Sequence, residues 1–463
     1  MRSALLCALL ATCAQSAWGS SAPSVDVLVA QLTARHPEAL AAQSRTDRAL
    51  GEQQIADAAF DLRVTQSTNI RPSGYYDGRV ADQRLVQPLK PFNAEVFSGY
   101  RLSDGTFPVY EQELQTLDAG ELSLGVKLSL LQNRDTDPRR LALENAAWRY
   151  QEAASSQLLD VNKLLYRGVS AWLDWYQSTL KREVVTRLLL LTQDRLGAIQ
   201  QRVESGDLAA ITLTEYRTTL TQRQILAQEA ERIEVQAQEQ LKYFLTPTKG
   251  PESADTGKLT APADIAWPFG VVTRHTQEEW SAEIEQHPAL LALTAKAKQL
   301  NVDERIARNE LLPELDLEMK VAQDFGTGPE ALDGTESIIA LSFEVPLGVR
   351  AAKGRVAMAA AATREVEYQY QVLAAQLLRD LQVSLTALAF NEKILVSSEE
   401  QEVLALELLA QEQIRFKEGE STQFVLISRE KVALEAQLKR IDATIDRFRN
   451  ELIVHATLAK LAG

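Results

Sequence analysis

Cysteine is nearly missing from this chain: of 463 residues only Cys7 and Cys13 carry a thiol, and both sit close to the start. A disulfide framework is excluded, so stability has to come from an apolar core or from assembly. Histidine is almost as scarce, and the four that occur, His36, His275, His287 and His455, are too widely spaced for a metal-like His/Cys cluster. Basic charge is in deficit, at a formal net charge of -14, which argues against a nucleic-acid surface because such surfaces carry a basic patch. Past the N-terminal segment no run approaches the roughly 18 uninterrupted apolar residues of a spanning helix. A chain of this kind that crosses a bilayer has to do so as a closed barrel. Carboxylates such as Asp380 with Glu392, or Glu399 with Glu400, read as solvated helix faces. No Ser-His-Asp order, P-loop or dinucleotide fingerprint falls on a strand-to-helix turn, so the sequence points to no enzyme and no cofactor.

What is present begins with MRSALLCALLATCAQSAWGSS, in which Arg2, an apolar run and the small residues Ala17 and Gly19 have the form of a signal peptide. Cleavage after Gly19 is expected, giving a leader over 1–19 that takes both cysteines with it. Leu10 to Cys13 faintly resembles a lipoprotein signal, but Thr12 is a poor residue before a lipidated cysteine. Further on, the chain says the same thing twice. RVESGDLAAITLTEYR from Arg202 is echoed by RFKEGESTQFVLISRE from Arg415, and HPEALAAQ from His36 by HPALLALT from His287. This is a tandem duplication: a first repeat over 20–250, a Pro- and Gly-interrupted linker over 251–286 and a second repeat over 287–463.

Each half reads as short helix, strand, loop, strand, long helix, turn, medium helix. In the first, a helical pattern runs from about Val25 to Phe60, alternation follows in DLRVTQSTNI, and it returns in ELSLGVKLSLL, where Leu122, Leu124, Val126 and Leu128 share a face. Between them lies a polar insert from Arg71 to Tyr110 expected to be a loop or cap. From Pro138 to Ser205 the sequence permits one helix, close to 100 Å long at 1.5 Å per residue. Gly206 ends it, and a helix from Leu208 to Leu245 follows. The second half repeats the order, with strands in ELDLEMKV and SIIALSFEVPL, a helix from Ala351 to Lys417, Gly419, and a helix to His455 or beyond. Trp172, Trp175 and Tyr176 fit core packing, and both His-Pro pairs fit helix starts. Gly206 and Gly419 fit helix C-caps, but a cap accounts for a glycine and not for the recurrence of its flanks. Four strands are too few to close a barrel, since single-chain barrels start at about eight, so several chains must share one.

These marks, above all HPALLALTAKAKQLNVDERIARNELLPELDLEM, SFEVPLGVRAAKGRVAMAAAA and the two Gly-centred hairpins, resemble the outer-membrane efflux protein family typified by TolC, over essentially the whole chain after the leader. The resemblance implies a mainly α fold with a small β part: a duplicated long-helix α-barrel, plus four strands per chain entering a trimeric twelve-stranded barrel in the outer membrane. It implies a homotrimer in contact with outer-membrane lipid, extending into the periplasm. The partners it implies are a periplasmic adaptor protein and an inner-membrane pump of resistance-nodulation-division or ABC type. Ser205, Gly206, Leu208, Glu418, Gly419 and Ser421 match the family's adaptor-contact motif, with Ser421 and Thr422 standing where an apolar residue is common. The gate aromatic falls on Phe416, without a hydroxyl. The acidic-ring positions fall on Val425 and Ser428, with Thr212 and Glu215 as their first-half counterparts, and whether Glu418, Glu420 or Glu215 replaces the ring stays open. Three other readings compete. The first is a type I protein-secretion duct, and the second a periplasmic coiled-coil protein without a pore, in which ELSLGVKLSLL and SIIALSFEVPL are buried or loop segments. The third, an adaptor protein, lacks its expected lipoyl-like segment here.

Overall fold

Two His-Pro pairs punctuate the chain. In the computed structural model, which describes residues 24–245, 259–262, 264–270, 272, 276–345 and 347–462, α1 (Val25–Arg35) ends at His36, whose backbone is extended at φ -71° and ψ 135°. A following proline imposes this, because its ring clashes with helical backbone one residue earlier. α2 (Pro37–Asp57) starts afresh, with His36 Nδ1 accepting the Glu38 N–H at 3.3 Å. The single helical pattern expected over 25–60 is therefore two helices. The duplicate is built alike: α5 (Gln277–Glu285) precedes His287, α6 (Pro288–Asn309) follows it, and His287 Nδ1 accepts the Ala289 N–H at 3.2 Å. Both pairs open helices, as expected. The leader, both cysteines and residues 246–258 lie outside the described residues.

After α2 come β1 (Arg63–Arg71), β2 (Gly78–Pro88), β3 (Glu95–Gly105) and β4 (Glu121–Ser129), then α3 (Pro138–Glu204) and α4 (Ala210–Leu245). The second repeat supplies β5 (Glu314–Asp324), β6 (Thr335–Glu344), α7 (Arg350–Glu418) and α8 (Gln423–Thr457). The mainly α class with a small β part is as expected, but the four strands are corrected to six in one antiparallel sheet of order β1-β2-β3-β4-β5-β6. The two extra strands are the Arg71 to Tyr110 insert, which is a hairpin in the sheet and not a loop.

The chain divides into two compact units. The sheet unit, residues 43–157 and 285–375, holds all six strands. The helical unit comprises residues 1–42, 158–284 and 376–463, so each unit draws on both repeats. In the helical unit the core gathers Leu28 and Leu32 of α1, Leu164, Leu165, Trp172 and Trp175 of α3, Leu241 of α4, and Ile445 and Leu452 of α8, all fully buried. Trp172 stacks on Tyr176 at 5.1 Å between ring centroids. At Gly168 of α3 a Cβ would lie 2.4 Å from Leu32 Cδ1, so the end of the Leu32 side chain rests where that Cβ would be. α3 has 67 residues, roughly 100 Å of unbroken helix. It starts on Asp137, whose Oδ1 accepts the backbone N–H groups of Arg139 and Arg140 at 3.0 Å each, with Pro138 at the first helical position. α7 contains one window with mean hydropathy 1.2, apolar enough by composition to span a membrane and largely exposed; it is an average over an interrupted run, not the continuous run sought in the sequence.

Candidate docking turns and channel wall

The two repeated turns have the same backbone. α3 closes with the Gly206 N–H on Val203 O at 3.1 Å and the Asp207 N–H on Arg202 O at 2.9 Å; α7 closes with the Gly419 N–H on Phe416 O at 3.2 Å and the Glu420 N–H on Arg415 O at 2.9 Å. Both are Schellman caps, in which the residue after the helix must be left-handed. Gly206 at φ +83° and Gly419 at φ +82° meet that demand. A Cβ at either would meet nothing within 4 Å, so conformation, not crowding, calls for glycine. Three residues then lead into the next helix in each case, and Thr422 caps α8 through a long, 3.5 Å bond from the Val425 N–H.

The residues expected from the sequence are distributed along these turns. Ser205, Gly206, Glu418 and Gly419 are exposed, and Leu208 and Ser421 are half-buried. Of the gate set, Glu215 and Ser428 are exposed, while Thr212, Phe416 and Val425 are half-buried.

A polar cluster deeper in the helical unit was not visible in the sequence. Glu430 of α8, 2% exposed, accepts the Arg195 guanidinium of α3 on one carboxylate oxygen and Arg223 Nη2 of α4 on the other, at 2.6 Å. Arg223 also reaches Thr192 Oγ1, and Tyr216 donates to Thr192 O at 3.0 Å. Burial pushes the Tyr216 hydroxyl above its ordinary pKa. A carboxylate removed from water this fully is tolerated because it is held by two guanidinium groups. The cluster ties α8 of the second repeat to the α3–α4 hairpin of the first. One signal could have found it: Arg223 keeps step with Tyr216 and Leu220, on the stripe that a helix turns inward.

In the sheet unit, strand register sorts side chains onto two faces. Pairings such as Val64 with Leu85, Leu85 with Ser98, Leu124 with Val321 and Met319 with Ile339 define one of them. It carries Val96, Tyr100, Leu102, Leu122, Leu124, Val126, Leu128, Leu315, Leu317, Met319, Val321, Ile339, Leu341 and Phe343. Many are exposed, among them Leu124, Ile339, Leu341 and Phe343, each at 60% or more. The opposite face is ionic. Glu121 joins Arg101 on β3 and Lys320 on β5, the latter at 2.8 Å, while Lys127 meets Asp316 at 3.5 Å and Arg63 meets Glu95 at 3.7 Å. An apolar face turned outward and a charged face turned inward is the pattern of a barrel wall in lipid around an aqueous lumen. The coiled-coil reading without a pore required these segments to be buried or looped, and both are strands.

The insert's aromatics acquire roles here. Phe97 lies over Gly125 on the ionic face, where a Cβ would come within 2.3 Å of its ring. Tyr76 and Phe107 pack together at 5.7 Å, and Tyr100 donates to Ala119 O at 2.6 Å. Next to them the β3–β4 and β5–β6 loops are tied by Asp118, which accepts the Thr327 N–H at 2.6 Å and its hydroxyl at 2.9 Å. Those bonds hold the Asp118 carboxyl below its usual pKa.

No protein-family model matches this chain, and neither does any curated protein sequence. Solved structures do. The outer-membrane channel OprN matches with a TM-score of 0.69 at 15% identity, covering 96% of this chain and 91% of its own. The CmeC outer-membrane channel of Campylobacter jejuni matches with a TM-score of 0.68 at 12% identity, over 96% and 90%. VceC, an outer-membrane protein of Vibrio cholerae, gives 0.66 at 15% identity, over 94% and 96%. The fold is that of the outer-membrane channels. Six strands and two Schellman turns on long helical hairpins thus sit in a known architecture, at an identity that speaks for fold alone.

Proposed function

We propose that this chain is one subunit of a homotrimeric outer-membrane channel-tunnel in a tripartite efflux system. It carries small molecules from the periplasm, or from an inner-membrane pump, to the exterior. The observation that carries this reading is the two-faced sheet, apolar on one side and ionic on the other, in a chain whose fold is that of outer-membrane channels. Exposed apolar residues of α7 in the helical unit, including Val383, Phe390, Ile394, Val403 and Leu404, support assembly, because a monomer would leave them in water.

In this reading the chain performs no chemistry, and the energy and most of the substrate choice come from the pump. A periplasmic adaptor docks at Ser205, Gly206, Leu208, Glu418, Gly419 and Ser421. Thr212, Glu215, Phe416, Val425 and Ser428 line the entrance next to the turns. Gating is a shift of helices that adaptor contact favours, and the Glu430 cluster is the element that resists it by holding α8 against α3 and α4. A type I secretion duct is the alternative within transport, and the genomic neighbour, a resistance-nodulation-division pump or an ABC exporter, discriminates the two.

The test is Leu208→Arg combined with Glu418→Arg, which spares both glycines. A trimer that still inserts and migrates in heat-modifiable form, with export lost, is the expected result. Export at the wild-type level sinks the docking assignment, as does loss of the variant's trimer, which would make the turns structural; a wild-type chain that forms no membrane-inserted oligomer sinks the channel reading itself.

A further inference from the structure

We infer that the assembled wall contains eighteen strands, six from each of three copies, with β6 of one copy hydrogen-bonded to β1 of the next. This rests on the trimeric channel proposed above and goes beyond it in fixing the size and the seam of the barrel.

The argument starts at the two edges. Among the described residues β1 pairs only with β2, and β6 only with β5, so each outer edge presents a row of unpaired backbone groups. Soluble proteins blunt such edges with Pro, Lys or a bulge, but β6, TESIIALSFE, has neither Pro nor Lys and is exposed along all ten residues. β1 is exposed over all but its last residue. In hydrocarbon an unpaired N–H or C=O is far costlier than in water, so both edges must find partners. Within one chain they cannot find each other, because six strands fall short of the roughly eight needed for closure.

A second copy fits both edges at once. Six antiparallel strands make β1 and β6 run in opposite directions, so β6 of one copy against β1 of the next continues the antiparallel order around a ring. Their lengths, nine and ten residues, match. Their outward faces continue as well, Val64 and Ile70 meeting the row of Ile339, Leu341 and Phe343.

What makes the number eighteen and not twelve is whether β2 and β3 belong to the wall. Their pairing is continuous, over nine residues with β1, eleven with each other and seven with β4. On the outer face Val96, Tyr100 and Leu102 of β3 continue the apolar row of β4, while β2 sets Leu85 among Arg79, Gln83 and Gln87. On the inner face Phe97 fills the gap over Gly125, and Arg101 shares Glu121 with Lys320. A hairpin folded out of the wall would strand Glu121 with one partner and uncover Gly125. Since barrel diameter grows about linearly with strand number, the barrel is about one and a half times as wide as a twelve-stranded one.

Electron cryomicroscopy of the full mature protein in lipid nanodiscs decides it by counting strands. Eighteen strands under threefold symmetry, with β1 against the neighbour's β6, is the expected result. Twelve strands under threefold symmetry overturns this inference and leaves the trimeric channel intact. Any assembly without threefold symmetry overturns the channel reading on which it rests.

Discussion

Beneath two turns of identical backbone lie two seams of opposite chemistry. Gly206 and Gly419 are equivalent in the duplication, and stepping the same distance from each aligns Thr192 with Ala405 and Arg223 with Ala436. In the first repeat those positions are the polar seam that receives Glu430. In the second they belong to a tight cluster of Ala405, Ala433 and Ala436, all buried. Glu430 itself aligns with Arg217, which is exposed. Duplication thus preserved the cap, which depends on one glycine and backbone bonds, and let the interiors diverge. One hairpin packs closely by itself, while the other leaves two buried or half-buried cations whose charge only the neighbouring repeat can balance.

The strongest way to break that contrast is Glu430→Ala. It leaves Arg195 and Arg223 without their shared carboxylate, and loss of one partner of a buried ion pair costs about 3–5 kcal/mol. Arg217→Ala, the same position in the other repeat, is expected to stay within about 0.5 kcal/mol. Urea denaturation of the detergent-solubilised protein, followed by the fluorescence of buried Trp172 and Trp175, measures both, and equal effects would dissolve the contrast. Next comes Ala433→Leu, which forces extra volume into the alanine seam at about 1–3 kcal/mol. Its aligned residue is already Leu220, so Leu220→Ala should cost less, since Leu220 is only half-buried.

The turns should respond alike where the seams do not. Gly206→Ala and Gly419→Ala each lose about 1 kcal/mol from the left-handed backbone, with no steric surcharge because nothing lies near the new Cβ. Asn at either position should recover part of it. Values for the two alanine variants that differ by more than twofold would show that the shared geometry hides unequal surroundings.

The smallest effect concerns acid. Burial first, with Arg167 adding to it and Glu38 opposing, holds the His36 imidazole below its ordinary pKa of 6.5. The groups around it are Glu38, which is paired with Arg167 and Tyr243, and the rings of Tyr243 and Phe244. Because the folded state takes up the proton less readily, His36 contributes its stability in full above 6.5, and that contribution drains away as the pH falls below 6.5 toward the depressed value. His36→Asn, which keeps an acceptor for the Glu38 N–H, should flatten the slope of stability between pH 7 and pH 5. An unchanged slope would assign the acid sensitivity elsewhere.

The helical half of this architecture was legible because its signals are local. Gly206, Gly419, Pro37, Pro138 and Pro288 mark helix ends by what their backbones allow, and the observed ends of α3, α4, α7 and α8 fall within about two residues of the expected ones. β4 and β6 announce themselves by clean alternation. β2 does not, because Arg79, Gln83 and Gln87 occupy its outer face while Val80 and Val86 sit on the inner one, so neither phase reads as apolar. β3 carries Val96, Tyr100 and Leu102 in phase, but Phe97 and Gly99 between them blur the period. The Glu430 cluster was hidden for another reason: in a helix rich in exposed Glu and Arg, a buried carboxylate is spelled no differently from a solvated one, and only the company it keeps in space distinguishes them. Ser205, Leu208, Glu418 and Ser421 were placed on their turns by the same repeat that exposed the duplication.

The β2–β3 hairpin enters from the β1–β2 loop and leaves into the β3–β4 loop, at the end of the sheet away from the connections to α2 and α3. A chain that lengthens in this way keeps its footing. A pair of strands added at that rim widens the sheet and leaves the joints to α2 and α3 where they were, so girth and helical framework are free to vary independently.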